Sequence, residues 1–292
     1  MVQQVELVLD AQAILGEGSS WHAGEQKLYW VDIIGKTLHR YDPATGTDQT
    51  WILPEQLGCV APRKPGGLIL YLESGFVFFD PEKGTHEVMC TPEPGKGDTL
   101  PNDGKCDPAG RFWAGTKDVR LETPIASLYR LDSDLKLRIM EPSVTISNGI
   151  TWSPDFTVMY YIDTPTRQIV AYDYDVETGD ISGKRVVVEV PEEMGWPDGM
   201  TADHEGMLWV AHWDGWKVAR WNPKTGKLIV AYDLPVRCPT SCCFGGSGLS
   251  DLYITTARAG SPEEEYQQQP YAGGLFRLHT DVQGLETFYF AG

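Results

Sequence analysis

Apolar residues along this chain fall in short alternating runs, the spacing of half-buried strands rather than of helices. Leu28-Tyr29-Trp30-Val31, Phe112-Trp113-Ala114, Met159-Tyr160-Tyr161-Ile162 and Leu208-Trp209-Val210 are four of them. Each follows a polar turn: Trp21-His22-Ala23-Gly24, Asp107-Pro108-Ala109-Gly110, Trp152-Ser153-Pro154-Asp155 and Asp203-His204-Glu205-Gly206. Ahead of each turn a second short strand opens on a hydrogen-bonding side chain followed by glycine: Glu17-Gly18, Asp103-Gly104, Asn148-Gly149 and Asp198-Gly199. Weaker copies start at Gly58-Cys59-Val60 and Ser241-Cys242-Cys243-Phe244. The result is six units of roughly 40 to 50 residues, the period of propeller blades. Later in the units come strands that end in turns such as Asp42-Pro43-Ala44-Thr45-Gly46, Asp80-Pro81-Glu82-Lys83-Gly84 and Asn222-Pro223-Lys224-Thr225-Gly226. There Pro fixes φ and Gly takes the left-handed position. The pattern predicts an all-β, six-bladed β-propeller.

The units run from end to end without a linker, so residues 1–292 are expected to form one domain, a closed ring that can stand as a monomer. Val5 to Leu9 and Phe288-Tyr289-Phe290 both read as strands, and ring closure predicts that they share a blade. Lys117 to Pro124 carries no strand pattern and is expected to overhang one end of the channel as a rim or lid. The stretch Ser261 to Pro270 reads as a polar excursion. No long helix is expected.

Inner strands of a propeller line its axis, so Glu17, Asp103, Asn148 and Asp198 should converge at one end of the central channel. Converging acids repel one another unless a cation lies between them. Carboxylate and amide oxygens suit Ca²⁺, Mg²⁺ or Mn²⁺, and Zn²⁺ also accepts carboxylates. Acidic and amide residues before glycine are usually just turn formers, but four in one register of a repeat argue for a site.

The net charge of −17 argues against nucleic acid or an anionic membrane as partner. Six cysteines without a Cys-x-x-Cys pair read as buried free thiols of a reducing compartment. The first residues lack the features of a signal peptide, and no apolar run could span a membrane, so a cytoplasmic location is expected. The six histidines are scattered with no metal-binding spacing. Trp213 and Trp216 are read as core or rim.

Longer motifs then add a family likeness. Leu15-Gly16-Glu17-Gly18, Val31-Asp32-Ile33, Asn102-Asp103-Gly104-Lys105, Ile146-Ser147-Asn148-Gly149, Pro197-Asp198-Gly199-Met200 and Thr240-Ser241-Cys242-Cys243-Phe244-Gly245-Gly246 occur in order. With them the chain resembles the senescence marker protein, gluconolactonase and regucalcin family along essentially its whole length. The resemblance implies a metal-dependent sugar lactonase. Glu17, Asn148 and Asp198 would hold one divalent ion, Asp198 would also act as general base, and Asn102 would bind a substrate hydroxyl. Asp103, a ligand by the repeat argument, would instead lie behind the metal or beside Asn102. Regucalcin-type relatives carry Arg where this chain has Leu100, and an acid near Val119 or Arg120. The substrate-facing positions Leu100 and Arg120 thus depart from the pattern and leave the identity of the lactone open. A calcium-binding regulatory protein and a propeller esterase or phosphotriesterase are the alternatives.

Overall fold

A computed structural model describes residues 4–292. Six four-stranded antiparallel sheets are arranged as the blades of a β-propeller. Their inner strands are Gly16–His22, Leu57–Pro62, Thr99–Cys106, Ser147–Trp152, Trp196–Ala202 and Cys238–Gly245, for blades one to six. Inner strands touch their neighbours around the ring, from blade one through to blade six and back to blade one. Among the described residues only three short 3₁₀ segments interrupt the strands, at Thr164–Thr166, Glu192–Met194 and Glu263–Glu265. None is long enough to cross a membrane.

The core lies between blades, where Trp21, Trp113, Trp152 and Trp209 are fully buried. Two of them are braced by the turn motif itself. The Asp107 carboxylate accepts the Ala109 and Arg111 N–H groups and the Trp113 indole N–H at 2.9 Å. Asp203 repeats the arrangement with Glu205, Met207 and Trp209, again at 2.9 Å for the indole. One acid thereby closes the turn and satisfies a buried indole that would otherwise carry an unpaired donor.

Ring closure differs from the expectation at one end. Val5–Leu9 completes blade six as its outermost strand, paired with Leu275–His279. Phe288-Tyr289-Phe290 does not join it. The last residues cross the end of the channel remote from Glu17 and Asp198. Leu285 N–H donates to Ala202 of blade five, Phe290 N–H to Pro62 of blade two and Ala291 N–H to Gly110 of blade three. Phe290 is buried among side chains of blades two and three. An alternating aromatic run announces burial on one face, but the same run serves for a strand or for a cover.

The segment expected to be strandless is also partly corrected. Lys117 and Asp118 end the strand Phe112–Asp118, and the loop begins at Val119.

Candidate metal and substrate site

Every inner strand carries a register shift at its start: the shift lies between Glu17 and Ser20 in blade one, Pro101 and Gly104 in blade three, Asn148 and Ile150 in blade four, and Pro197 and Met200 in blade five. Blades two and six have it too. In each, the inner strand holds one residue more than its partner, the arrangement of a β-bulge, which re-aims side chains. In a regular strand, consecutive side chains point to opposite faces. The bulge in blade three lets Asn102 and Asp103, direct neighbours, both join the site.

The glycines after Asn148 and Asp198 are there for space. A Cβ on Gly149 would stand 2.6 Å from the Asp198 carbonyl oxygen, and one on Gly199 would stand 2.7 Å from Ser241 Cα. Neighbouring inner strands approach so closely that no side chain fits at these two positions.

Glu17, Asn102, Asp103, Asn148 and Asp198 are brought together, none more than 8% exposed. Asn148 is held from behind. Its Nδ2 donates to Thr164 Oγ1 at 2.8 Å, and that hydroxyl donates to the Pro197 carbonyl, also at 2.8 Å, beside Asp198. The amide oxygen of Asn148 accepts from Asn102 Nδ2 at 2.8 Å, and the same Nδ2 donates to the Ser147 carbonyl at 2.8 Å. With its N–H groups engaged, Asn102 offers a ligand its carbonyl oxygen, an acceptor for a hydroxyl. Asp103 accepts the Gly104 N–H at 2.7 Å.

The three acids are electrostatically uncomfortable. Burial, then Glu17 and Asp103, pushes the Asp198 carboxyl well above the usual range, against the opposing pull of Lys117. Burial and Asp103 push Glu17 up to about 8, again with Lys117 opposing. Burial also raises Asp103, countered by Lys105. Asp198 Oδ1 is buried with no hydrogen-bond partner among the described residues, a costly state for a carboxylate oxygen. A cation would relieve all of this at once, so the residues fit a hard divalent ion. No three His, Cys, Asp or Glu side chains form a metal-binding group among the described residues. The expected set does not require one, because its third donor is the Asn148 amide.

Leu100 is half-buried and Arg120 exposed. The Arg120 N–H donates to Asp118, whose carboxylate also accepts Glu122 and Thr123 and so ties the loop down. Trp216 is 39% exposed, and Trp213 packs against Gly260. The sequence reading missed Lys117. This half-buried lysine is the cross-strand partner of Leu100 and bridges to Ile146 of blade four. Burial lowers its pKa below the usual ammonium value, against the opposing pull of its charge neighbours Glu17 and Asp198. The signal lay in register: only the pairing of two strands places Lys117 opposite Leu100.

The family description "SMP-30/Gluconolactonase/LRE-like region" matches residues 15–258. A Bacillus subtilis (strain 168) protein, whose name assigns it provisionally to the sugar lactone lactonases, is 39% identical over 98% of both chains. Regucalcin of Danio rerio is 38% identical over 99% of each. A solved calcium-binding protein, regucalcin from Agrobacterium tumefaciens, superposes with a TM-score of 0.93 at 26% identity, covering 97% of this chain and 96% of its own.

Proposed function

The chain belongs to the SMP-30/gluconolactonase/LRE-like family, and from that premise we propose that it hydrolyses sugar lactones, aldonolactone to aldonic acid, with one divalent metal ion. The observation that carries the reading is the orphaned Asp198 Oδ1 among three buried acids. Glu17, Asn148 and Asp198 would hold the ion, with Asp103 behind them. When bound, the ion supplies electrophilic stabilisation of the oxygen on which negative charge develops.

Asp198 accepts the proton of the attacking water and returns it to the ring oxygen as the ester opens. In the metal-free protein its burial and its acidic neighbours favour the protonated form; a bound cation would favour the carboxylate that a base requires. Asn102 accepts a hydrogen bond from a sugar hydroxyl and fixes the ester relative to Asp198. Thr164 keeps the Asn148 oxygen turned toward the axis through its 2.8 Å contact.

A second reading, calcium binding without turnover, is favoured by the likeness to the solved calcium-binding protein. One experiment separates them. Metal-stripped protein is given Ca²⁺, Zn²⁺, Mn²⁺ or Mg²⁺, and lactone opening is followed by proton release. The expected outcome is metal-dependent turnover that falls at least about 100-fold in Asp198→Ala and in Glu17→Ala, the scale of losing a general base. Tight metal binding with no turnover on any lactone would select the second reading.

A further inference from the structure

Lys117 has a long charged side chain, is only partly exposed, and makes no hydrogen bond or ion pair among the described residues. Two other enclosed cations are engaged, Arg130 with Asp132 at 2.8 Å and Lys105 with the Met200 carbonyl at 2.8 Å; among the unpartnered lysines, Lys117 is the one whose charge neighbours are Glu17 and Asp198. An ammonium held out of bulk water with unused donors is a binding group awaiting an acceptor.

Position says what kind of acceptor. Lys117 pairs with Leu100, two residues before Asn102, and bridges to Ile146, two residues before Asn148. It therefore stands about 6–7 Å along the strands from both amides, on the side of the mouth. A sugar acid whose ester lies against Asn148 and Asp198 extends its other carbon end toward this level.

Charge says which end group. Three carboxylates, Glu17, Asp103 and Asp198, face two lysines, Lys105 and Lys117. With a divalent ion, these five side chains sum to one positive charge in excess, on the mouth side at Lys117. The neighbouring acids are not paired with it: the Asp118 carboxylate is turned to three backbone N–H groups and that of Asp163 to those of Thr145 and Ile146. Arg120, on the loop that follows this strand, adds a further positive charge.

Resting on the lactonase reading, we propose that Lys117 determines substrate choice: its ammonium binds a free carboxylate at the far end of the lactone, so that monolactones of dicarboxylic sugar acids are preferred to neutral aldonolactones.

The test compares kcat/KM for D-glucarolactone and D-gluconolactone in the metal-loaded wild type, Lys117→Met and Lys117→Arg, with melting temperature as the folding control. The wild type should favour the carboxylate-bearing lactone. Lys117→Met should lower the ratio of the two by about 10- to 100-fold, the worth of a hydrogen bond to a charged group, and Lys117→Arg should retain most of it. A second measurement needs no variant. Glucarate, with two carboxylates, should bind the loaded wild type more tightly than gluconate by calorimetry, and the advantage should shrink with added salt. An unchanged ratio in Lys117→Met, or equal binding of the two acids, overturns the assignment of Lys117 and leaves the lactonase reading standing. Absence of turnover on every lactone overturns the lactonase reading, and calorimetry then still decides whether Lys117 holds a carboxylate.

Discussion

Glu17 and Asp198 show what one buried residue can store. In the metal-free protein Glu17 keeps its proton up to about pH 8, whereas in the unfolded chain it releases it near 4.5. Between those values the folded state binds the extra proton, so metal-free stability should fall as pH rises through the window. Asp198, also raised, adds to the slope in the same direction. A divalent ion removes the need for the proton. Melting curves with and without chelator should therefore diverge little near pH 5 and widely near pH 8. A metal-induced increase in melting temperature that is equal at both pH values would contradict this account of the site. At this scale the sequence was readable where residues recur. Four polar residues before glycine, in register, pointed to one end of the axis and do meet there. Lys117 recurs nowhere, and neither hydropathy nor spacing marks it, since its neighbourhood follows from strand pairing alone.

Within the elements, the same bulge repeats at the start of all six inner strands, and the glycines admit the next blade. This explains why a turn-forming dipeptide occurs so regularly in a strand. The chain needs the extra residue to turn two neighbours toward the axis, and it needs the missing Cβ to bring strands together. Gly149→Ala should push against the Asp198 carbonyl and cost about 1–3 kcal/mol by overpacking. It should also weaken metal affinity, because the displaced strand carries Asp198. Gly97, where an added Cβ meets nothing within 4 Å, supplies the control, and Gly97→Ala should change neither quantity. Urea denaturation and a metal titration on both variants check the pair. Strand positions and turns were legible because Asp107 and Asp203 perform the same two tasks in their blades. The excursion at Ser261 to Pro270 was legible only as polar. Its Gln269 is in fact buried, with its side-chain oxygen accepting the Arg237 N–H at 2.8 Å, and a lone glutamine gives no hint of such a partner.

For the molecule as a whole, the ring is fastened twice. Val5–Leu9 ties the start of the chain to its last blade, and the closing segment ties blade five to blades two and three across the axis. Phe290→Ala should cost about 3–5 kcal/mol, as removal of a fully buried phenyl does. The loss should appear in unfolding, with turnover per folded molecule retained, since Phe290 lies at the end remote from Asp198. A large fall in kcat at unchanged fold would show that the two ends of the channel communicate. The sequence predicted six blades because six copies were visible, but which copy the last residues would join was not, because a cover and a strand use the same aromatic alternation.

That cover also settles the traffic. Beneath Leu285 to Phe288 there remains a cavity of about 30 Å³, lined by Ser20, Lys105, Thr151 and Thr201, room for a water molecule or two and not for a sugar. The closing segment leaves no sugar-sized passage at the far end, so a substrate would come and go at the Asp198 end. On the proposal made for Lys117, each molecule of acid would back out past that residue before the next lactone enters, and a residue that draws the newcomer in would also delay the one that is leaving.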